Sequence, residues 1–377
     1  MKLKASLILI IFLMSMLFAN YSFAENENKE NIENTNIQTQ LEKETKQSKL
    51  NILSESVILI DSKTGTEIYS KNPDKKMYPA STTKVLTAIL AIENGNLDDK
   101  TIVNKSAINS IPSGYSSAYL SEDEEISIKD LLKVLLVHSA NDAANVLAEY
   151  ISGSIDNFVD LMNQKLNELG CTSTHFVNTN GIQDSNHYST ARDLSTIAKY
   201  CMQNSTFRKL VSMKSCTIPK TNKFGVRKYT NTNDSLNPSS QYYRKDCIGI
   251  KTGYTSQAKN TLISACSNND MELIAVLLYS PHLPDRYADL ETLYDYGYKT
   301  LPALNIQIED ESTKTNELSQ TNEQNNEQSN EQSNEQNLLN KNSIPLFIKI
   351  ILTIIILILI LRLMSNFKKK KAHRRKH

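Results

Sequence analysis

Tyr78-Pro79-Ala80-Ser81-Thr82-Thr83-Lys84, followed by Val85-Leu86-Thr87-Ala88-Ile89-Leu90-Ala91-Ile92, is the stretch around which this 377-residue chain is organised. It has the form of a helix start: a proline, small hydroxyl residues, then an apolar run that Gly95 stops. Ser81 and Lys84 are three apart, so on a helix they share a face, one turn from each other. That spacing sets a hydroxyl beside an amine at a helix N-terminus. The backbone N–H groups there are positive and, with burial, draw an amine's pKa down until it can serve as a base. A serine beside such a base is an activated nucleophile.

The pattern is short, and Ser-x-x-Lys recurs at Ser256/Lys259 and Ser365/Lys368. An ordinary helix start with a solvated lysine has the same letters, so the rest of the chain must decide.

Outward from this stretch, the two ends do not belong to a folded domain. Residues 1–24 carry Lys2 and Lys4, an apolar run from Ala5 to Ala19, and Ser22-Phe23-Ala24. That order predicts a secretory signal peptide cut after Ala24, with a retained N-terminal anchor as the alternative. Residues 25–48 are rich in Asn, Glu, Lys, Thr and Gln and predict a flexible polar leader. Residues 306–342 repeat Asn-Glu-Gln at Asn322, Asn326, Asn330 and Asn334, which predicts a low-complexity tether with too few apolar residues to stack. Residues 343–365 predict a transmembrane helix, with Lys349 and Arg362 near its ends. Residues 366–377 form a basic tail, which the positive-inside rule puts in the cytoplasm. The expected location is thus the cell membrane, with the folded part on the extracytoplasmic side.

The formal net charge of +1 hides this division. Of 42 Lys and Arg, 11 lie in residues 1–24 and 343–377, leaving 31 against 41 acidic residues, a net of −10 for residues 25–342. Nucleic acid is not an expected partner of such a surface. Five cysteines, with no Cys-x-x-Cys, predict neither a disulfide framework nor a zinc site, and read mostly as small core residues.

Residues 49–305 remain as one domain. Ser54 to Asp61 and Glu67 to Ser70 read as a hairpin across Lys63-Thr64-Gly65-Thr66. Thr101 to Pro112 reads as strand and loop. Ser127 caps a helix carrying Leu131, Leu132, Leu135 and Leu136, which breaks at His138-Ser139-Ala140-Asn141. A helix from Asp142 to Ile151 follows, so Ser139 and Asn141 are expected in an interhelical loop that holds them rigidly. Ser154 and Thr190 cap two more helices, and Asn178 to His187 is a polar loop between them. Asp246 to Lys251, Thr261 to Cys266 and Met271 to Tyr279 read as strands, and Asp285 to Tyr296 as a closing helix. Strands at both ends with helices between predict an antiparallel sheet with an inserted helical block, an α+β fold.

Three polar elements now stand in order: Ser81-Thr82-Thr83-Lys84, Ser139-Ala140-Asn141, and Lys251-Thr252-Gly253-Tyr254-Thr255. This trio is found in class A β-lactamases and penicillin-binding proteins. Lys-Thr-Gly also occurs at Lys63, and Ser-x-Asn at Ser235 and Ser267, but those copies lie outside this order. Further stretches match: Ser139-Ala140-Asn141-Asp142-Ala143-Ala144, Phe176-Val177-Asn178 with Asn180-Gly181, His187-Tyr188-Ser189-Thr190-Ala191 with Asp193-Leu194, and Gly249-Ile250-Lys251-Thr252-Gly253-Tyr254-Thr255. Together they resemble the low-molecular-mass D-alanyl-D-alanine carboxypeptidases, family S11 of the serine peptidases, over roughly residues 50–300.

The resemblance implies a β-lactamase/transpeptidase-like fold, with an antiparallel sheet flanked by helices and an inserted helical subdomain. It implies removal of the terminal D-alanine from peptidoglycan pentapeptides through an acyl-enzyme on Ser81, with β-lactams as inhibitors and no cofactor or metal. Lys84 would take the serine proton. Ser139 would relay a proton to the leaving amine, and Asn141 would hold a substrate amide or orient Lys84. Lys251, with Thr252 and Thr255, would bind the terminal carboxylate. The backbone N–H groups of Ser81 and Tyr254 would form the oxyanion hole, beside Gly253. Arg286 is a further candidate for the carboxylate, or a cap of the closing helix. His138 and His187 read as structural, the latter fixing its loop. Relatives often carry a β-rich domain before the membrane, whereas this chain passes directly into its tether. A β-lactamase or D,D-endopeptidase of the same fold is the alternative, as is a non-catalytic wall-binding scaffold. Against the lactamase, Phe176 to Asp193 contains no Glu, only Asp184 and Asp193.

Overall fold

The structure, a computed structural model, describes residues 50–302. The expectations for residues 1–24, 25–48, 306–342, 343–365 and 366–377 fall outside the described residues. Among the described residues no helix is long and apolar enough to cross a membrane.

In chain order the strands are β1 (Ser56–Asp61), β2 (Glu67–Lys71), β3 (Lys100–Ile102), β4 (Glu125–Ser127), β5 (Ser215–Ile218), β6 (Arg227–Thr230), β7 (Cys247–Thr255), β8 (Lys259–Asn268) and β9 (Met271–Ser280). The helices are α1 (Lys84–Asn94), α2 (Lys105–Asn109), α3 (Ile128–Val137), α4 (Asn141–Ser152), α5 (Ile155–Glu168), α6 (Ala191–Met202) and α7 (Ser205–Val211), with a closing helix α8 over residues 283–302.

The main sheet has the order β2-β1-β9-β8-β7, antiparallel throughout. Its strands read as unbroken apolar runs because both faces are covered. Along a strand the side chains alternate between faces. Ile58, Ile60, Ile274, Val276 and Leu278 therefore join the core of the helical block, while Val57, Leu59, Leu273, Ala275 and Leu277 join a second core with Tyr287, Leu290, Leu293 and Tyr294 of α8. Each Val, Leu or Ile among them stabilises by about 1.5–3 kcal/mol when fully buried.

At the centre of the block lies α1, buried from Lys84 to Ala91 and packed against α3, α4, α5, α6 and α7. A helix apolar all round belongs in a core. Its single cation, Lys84, is held at its first residue, and the turn before it packs on β7 and β8. The sheet thus supplies a wall, and α1 carries Ser81 and Lys84 up to it.

The caps fall where the sequence puts them. Ser127, Ser154 and Thr190 accept from the backbone N–H groups of Asp130, Asn157 and Asp193, each at 3.1 Å. Four details differ from expectation. Residues 101–112 contain the short helix α2. The helix after Ser139 begins at Asn141, one residue early, so Asn141 is helical rather than a loop residue. Strand β7 runs on through Lys251 to Thr255, because the Lys-Thr-Gly segment pairs with Thr261, Leu262 and Ile263 of β8. Finally, α7 and the β5–β6 hairpin occupy a region that carries no strong sequence signal. All five cysteines are free thiols, and Cys171, Cys201, Cys216 and Cys266 are buried as small core side chains.

Candidate active site

Residues Ala80–Thr83 form a 3-10 turn that runs directly into α1. No side chain caps its start. The hydroxyls of Thr82 and Thr83 turn back instead, donating to the carbonyls of Pro79 and Ala80 at 2.8 and 2.9 Å. Ser81 is half-buried and lines a cleft of about 600 Å³.

Lys84 is fully buried, and its Nζ lies 3.0 Å from Ser81 Oγ, 2.7 Å from Asn141 Oδ1 and 2.6 Å from the Asn180 carbonyl oxygen. Desolvation holds its pKa well below that of a free lysine, and the charge of Lys251 lowers it further; Asp142 opposes both. A neutral amine has two hydrogens and one lone pair. As an ammonium, Lys84 donates to all three oxygens; once it gives up a proton, Asn141 and Asn180 can keep the two remaining hydrogens and leave the lone pair to accept from the serine O–H.

Asn141 is fixed from behind. Its Nδ2 donates to the Ser116 carbonyl at 2.9 Å, as does its backbone N–H. Of the two roles open to it from sequence, orienting Lys84 is the one its bonds serve. Ser139 stands between α3 and α4 at φ +67°, and it lines the cleft with Asn141. A left-handed non-glycine residue of this kind is held by its surroundings, here two buried helices.

The opposite wall is the free edge of β7. Thr252, Gly253, Tyr254 and Thr255 line the cleft. A Cβ on Gly253 would lie 2.8 Å from Ser81 N, so the missing side chain is what lets β7 close on the serine. Tyr254 points to solvent and is 64% exposed. Lys251 is buried behind the edge and donates to the Thr252 carbonyl at 2.9 Å. Burial, and then the charge of Arg286, push its pKa down to about 7. Arg286 is buried at the cleft's end, bound to the Thr261 carbonyl at 3.3 Å and Tyr287 Oη at 2.9 Å, with its Nε unpartnered.

The sequence profile of the D-alanyl-D-alanine carboxypeptidases, peptidase family S11, matches residues 42–281. The chain belongs to this family. It is 30% identical over 297 residues to D-alanyl-D-alanine carboxypeptidase DacF of Bacillus subtilis, spanning 77% of this chain and 69% of that one. It is 35% identical over 248 residues to a D-alanyl-D-alanine carboxypeptidase of a Streptomyces species, strain K15, spanning 62% of this chain and 84% of that one. The crystal structure of the Streptomyces K15 DD-transpeptidase matches with a TM-score of 0.62 at 31% identity, covering 67% of this chain and 99% of that one. The expected penicillin-binding fold is therefore the observed one.

All ten candidate residues of this S11 carboxypeptidase lie in or beside one cleft. The copies of these motifs at Lys63 and Ser256/Lys259 do not reproduce the arrangement, and Ser365/Lys368 lies outside the described residues. Lys63 sits in the β1–β2 turn. Ser256 is on the cleft rim, but its hydroxyl bonds Gln257, and Lys259 opens β8. No Asp or Glu is among the residues lining the cleft. Asp184 is exposed, and Asp193 accepts from Ser173 N and Thr174 Oγ1. Among the described residues no group of three His, Cys, Asp or Glu is placed to hold a metal ion. Sequence reasoning missed three contributors. The Asn180 carbonyl acts through the backbone, so no side chain advertises it. Ser113 to Ser116 form a rim with no local signature. Thr232, 2.6 Å from Thr252 Oγ1, is brought in by tertiary packing alone.

Proposed function

We propose that residues 50–302 remove the terminal D-alanine from peptidoglycan stem pentapeptides by way of an acyl-enzyme on Ser81. The observation that carries this is Lys84: a buried amine, its pKa drawn well down by desolvation, held 3.0 Å from Ser81 Oγ by Asn141 and Asn180. Ser81 Oγ attacks the carbonyl carbon of the penultimate D-alanine, and its proton passes to Lys84 Nζ. The oxyanion forms between the N–H groups of Ser81 and Tyr254, a type of site in which each donor is worth about 3 kcal/mol of barrier. The C–N bond then breaks with its electron pair on nitrogen, and Ser139 relays the proton from Lys84 to the departing amine. Water attacks the ester carbonyl, gives its proton to Lys84, and Ser81 leaves as the alcohol.

Lys251 and Arg286, with the hydroxyls of Thr252 and Thr255, receive the terminal carboxylate. β-Lactams enter as mimics of the D-Ala-D-Ala amide. A β-lactamase of class A would use a carboxylate to activate the deacylating water, and the acid-free cleft favours the carboxypeptidase. A scaffold role is disfavoured by the intact constellation. The K15 neighbour is named a DD-transpeptidase; here an amine acceptor would compete with water for the same ester.

We further propose that residues 1–24 export the chain, residues 343–365 anchor it, and residues 306–342 hold the catalytic part outside the membrane. Support comes from the charge and hydropathy pattern of the ends. Full-length protein should stay in the membrane fraction after an alkaline wash and be open to added protease in cells stripped of wall; release by the wash would refute the anchor.

The catalytic assignment is tested by mass spectrometry of purified residues 25–342 after incubation with penicillin. The parent should gain one adduct, mapping to Ser81, and should release D-alanine from a pentapeptide. Ser81→Ala should gain none. An adduct on Ser81→Ala, mapped to another residue, would overturn the mechanism.

A further inference from the structure

The peptide that carries the nucleophile is strained. Ala80 has φ +49°, a left-handed conformation that is unfavourable for a residue with a Cβ. Such a conformation persists only where the surroundings over-determine it. Two groups close on its carbonyl oxygen. Thr83 Oγ1 donates to it at 2.9 Å. Gly181, at φ +83°, packs so near that a Cβ there would lie 1.8 Å from it.

Behind Thr83 stands His187, with Nε2 2.8 Å from Thr83 Oγ1. The direction of that bond is determined. The Val177 N–H donates to His187 Nδ1 at 3.1 Å, so Nδ1 carries no proton. Burial pushes the imidazole's pKa down to about 3, so the ring is neutral near pH 7. Its one proton is on Nε2 and goes to Thr83 Oγ1, which leaves the threonine's own hydrogen for Ala80 O. The ring is held flat on Phe176, with centroids 4.7 Å apart and planes 11° from parallel. Neither Thr83 nor His187 lines the cleft.

We propose that Thr83 and His187 are positioning residues: a one-way hydrogen-bond relay from His187 through Thr83 to Ala80 clamps the left-handed peptide and so aims Ser81 at Lys84. The relay ties the Val177–His187 loop to the nucleophile turn, beyond fixing its own loop. The inference rests on Ser81 being the acylated residue, which adduct mapping tests separately.

The test compares Thr83→Val, Thr83→Ser, His187→Asn and the Thr83→Val/His187→Asn double variant in residues 25–342. The readouts are the penicillin acylation rate, and kcat and KM on an acylated peptide ending in D-Ala-D-Ala. A misplaced nucleophile loses rate rather than binding. Thr83→Val should therefore lower kcat and acylation by roughly 10- to 100-fold, with KM within about twofold. Thr83→Ser should restore the parent rate. His187→Asn should resemble Thr83→Val, and the double variant should be no slower than either single one. Should Thr83→Val fail to fold, His187→Gln, which keeps an N–H near the Nε2 position, must outpace His187→Asn. Parent-like acylation in Thr83→Val, equal rates in the two His187 variants, or additive losses in the double variant would overturn the relay. In each case, if Ser81→Ala still blocks the adduct, the catalytic assignment stands without it.

Discussion

At the residue scale, two buried lysines in one cleft are given different work by their neighbours. Burial draws the pKa of Lys84 well down, while the Asn141 and Asn180 acceptors hold its Nζ against Ser81. Lys251 has Arg286 beside it and a pKa near 7, so it sits at the edge of its charged form. A bound carboxylate favours that form, and above about pH 7 binding must take up a proton. KM for a peptide with a free carboxylate should rise as pH climbs past 7, by up to about tenfold for each pH step of one. The amidated peptide and the Lys251→Met variant should lack the rise; a flat KM for the parent from about pH 6 to 9 would refute the assignment. The same residue also costs stability. Its folded pKa of about 7 lies below the unfolded 10.5, so the unfolded chain binds more protons between those values. Stability therefore grows with pH across that window, by at most about 1.4 kcal/mol for each pH step of one, and the penalty is complete below pH 7. Lys251→Met should raise Tm more at about pH 6 than at about pH 9, while losing activity. Equal gains at the two pH values would mean that Lys251 is not titrating in the fold.

At the element scale, the site is a contact between one turn and one strand edge. On Gly253, a Cβ would meet Thr261 Oγ1 at 2.4 Å and Ser81 N at 2.8 Å. Thr261 in turn donates to the Pro79 carbonyl at 3.0 Å, at the head of the nucleophile turn. Gly253→Ala should thus push the turn off β7 and cut β-lactam acylation by roughly 100-fold with an unchanged circular dichroism spectrum. Acylation at the parent rate would show that the edge and the serine need not touch. What the sequence makes legible here follows the range of each interaction. Ser127, Ser154 and Thr190 are readable as caps because a cap closes within three residues. Thr82 and Thr83 have the look of capping residues, yet their hydroxyls bond backward to Pro79 and Ala80, beside a left-handed Ala80 that no local pattern announces. Lys251-Thr252-Gly253 reads as a strand's end, since a glycine there suggests a break; pairing with β8 carries the strand through it. The Asn180 carbonyl and the Ser113–Ser116 rim depend on contacts distant in sequence and have no signal to offer.

At the scale of the whole molecule, the strands at both ends of the domain make the architecture legible, but not the strand order, which only long-range pairing decides. The same pairing explains where the folded unit closes. Leu53 and Ser54 donate their N–H groups to the Asp289 carboxylate of α8 at 2.9 and 2.6 Å, and Ser54 Oγ adds a third bond at 2.6 Å. Ile52 and Leu301 are buried in the same second core, so the first and last described segments are tied together there. Asp289→Ala would leave the buried Ser54 N–H unpaired, at about 1–3 kcal/mol, while the N–H of exposed Leu53 can turn to water. Chemical denaturation should show a loss of that order. The closing helix itself cannot be spared. Tyr287, Leu290, Leu293 and Tyr294 cover one face of the sheet, and at about 1.5–3 kcal/mol per buried side chain their sum rivals a domain's whole stability of about 5–15 kcal/mol. A protein cut to residues 50–302 should therefore be soluble, cooperative in unfolding and acylated by penicillin at the rate of residues 25–342. One cut to residues 50–282 should not fold. If the 50–302 protein folds but takes up no penicillin, residues 25–49 or 303–342 are needed for acylation, and their part is more than that of a leader or a tether.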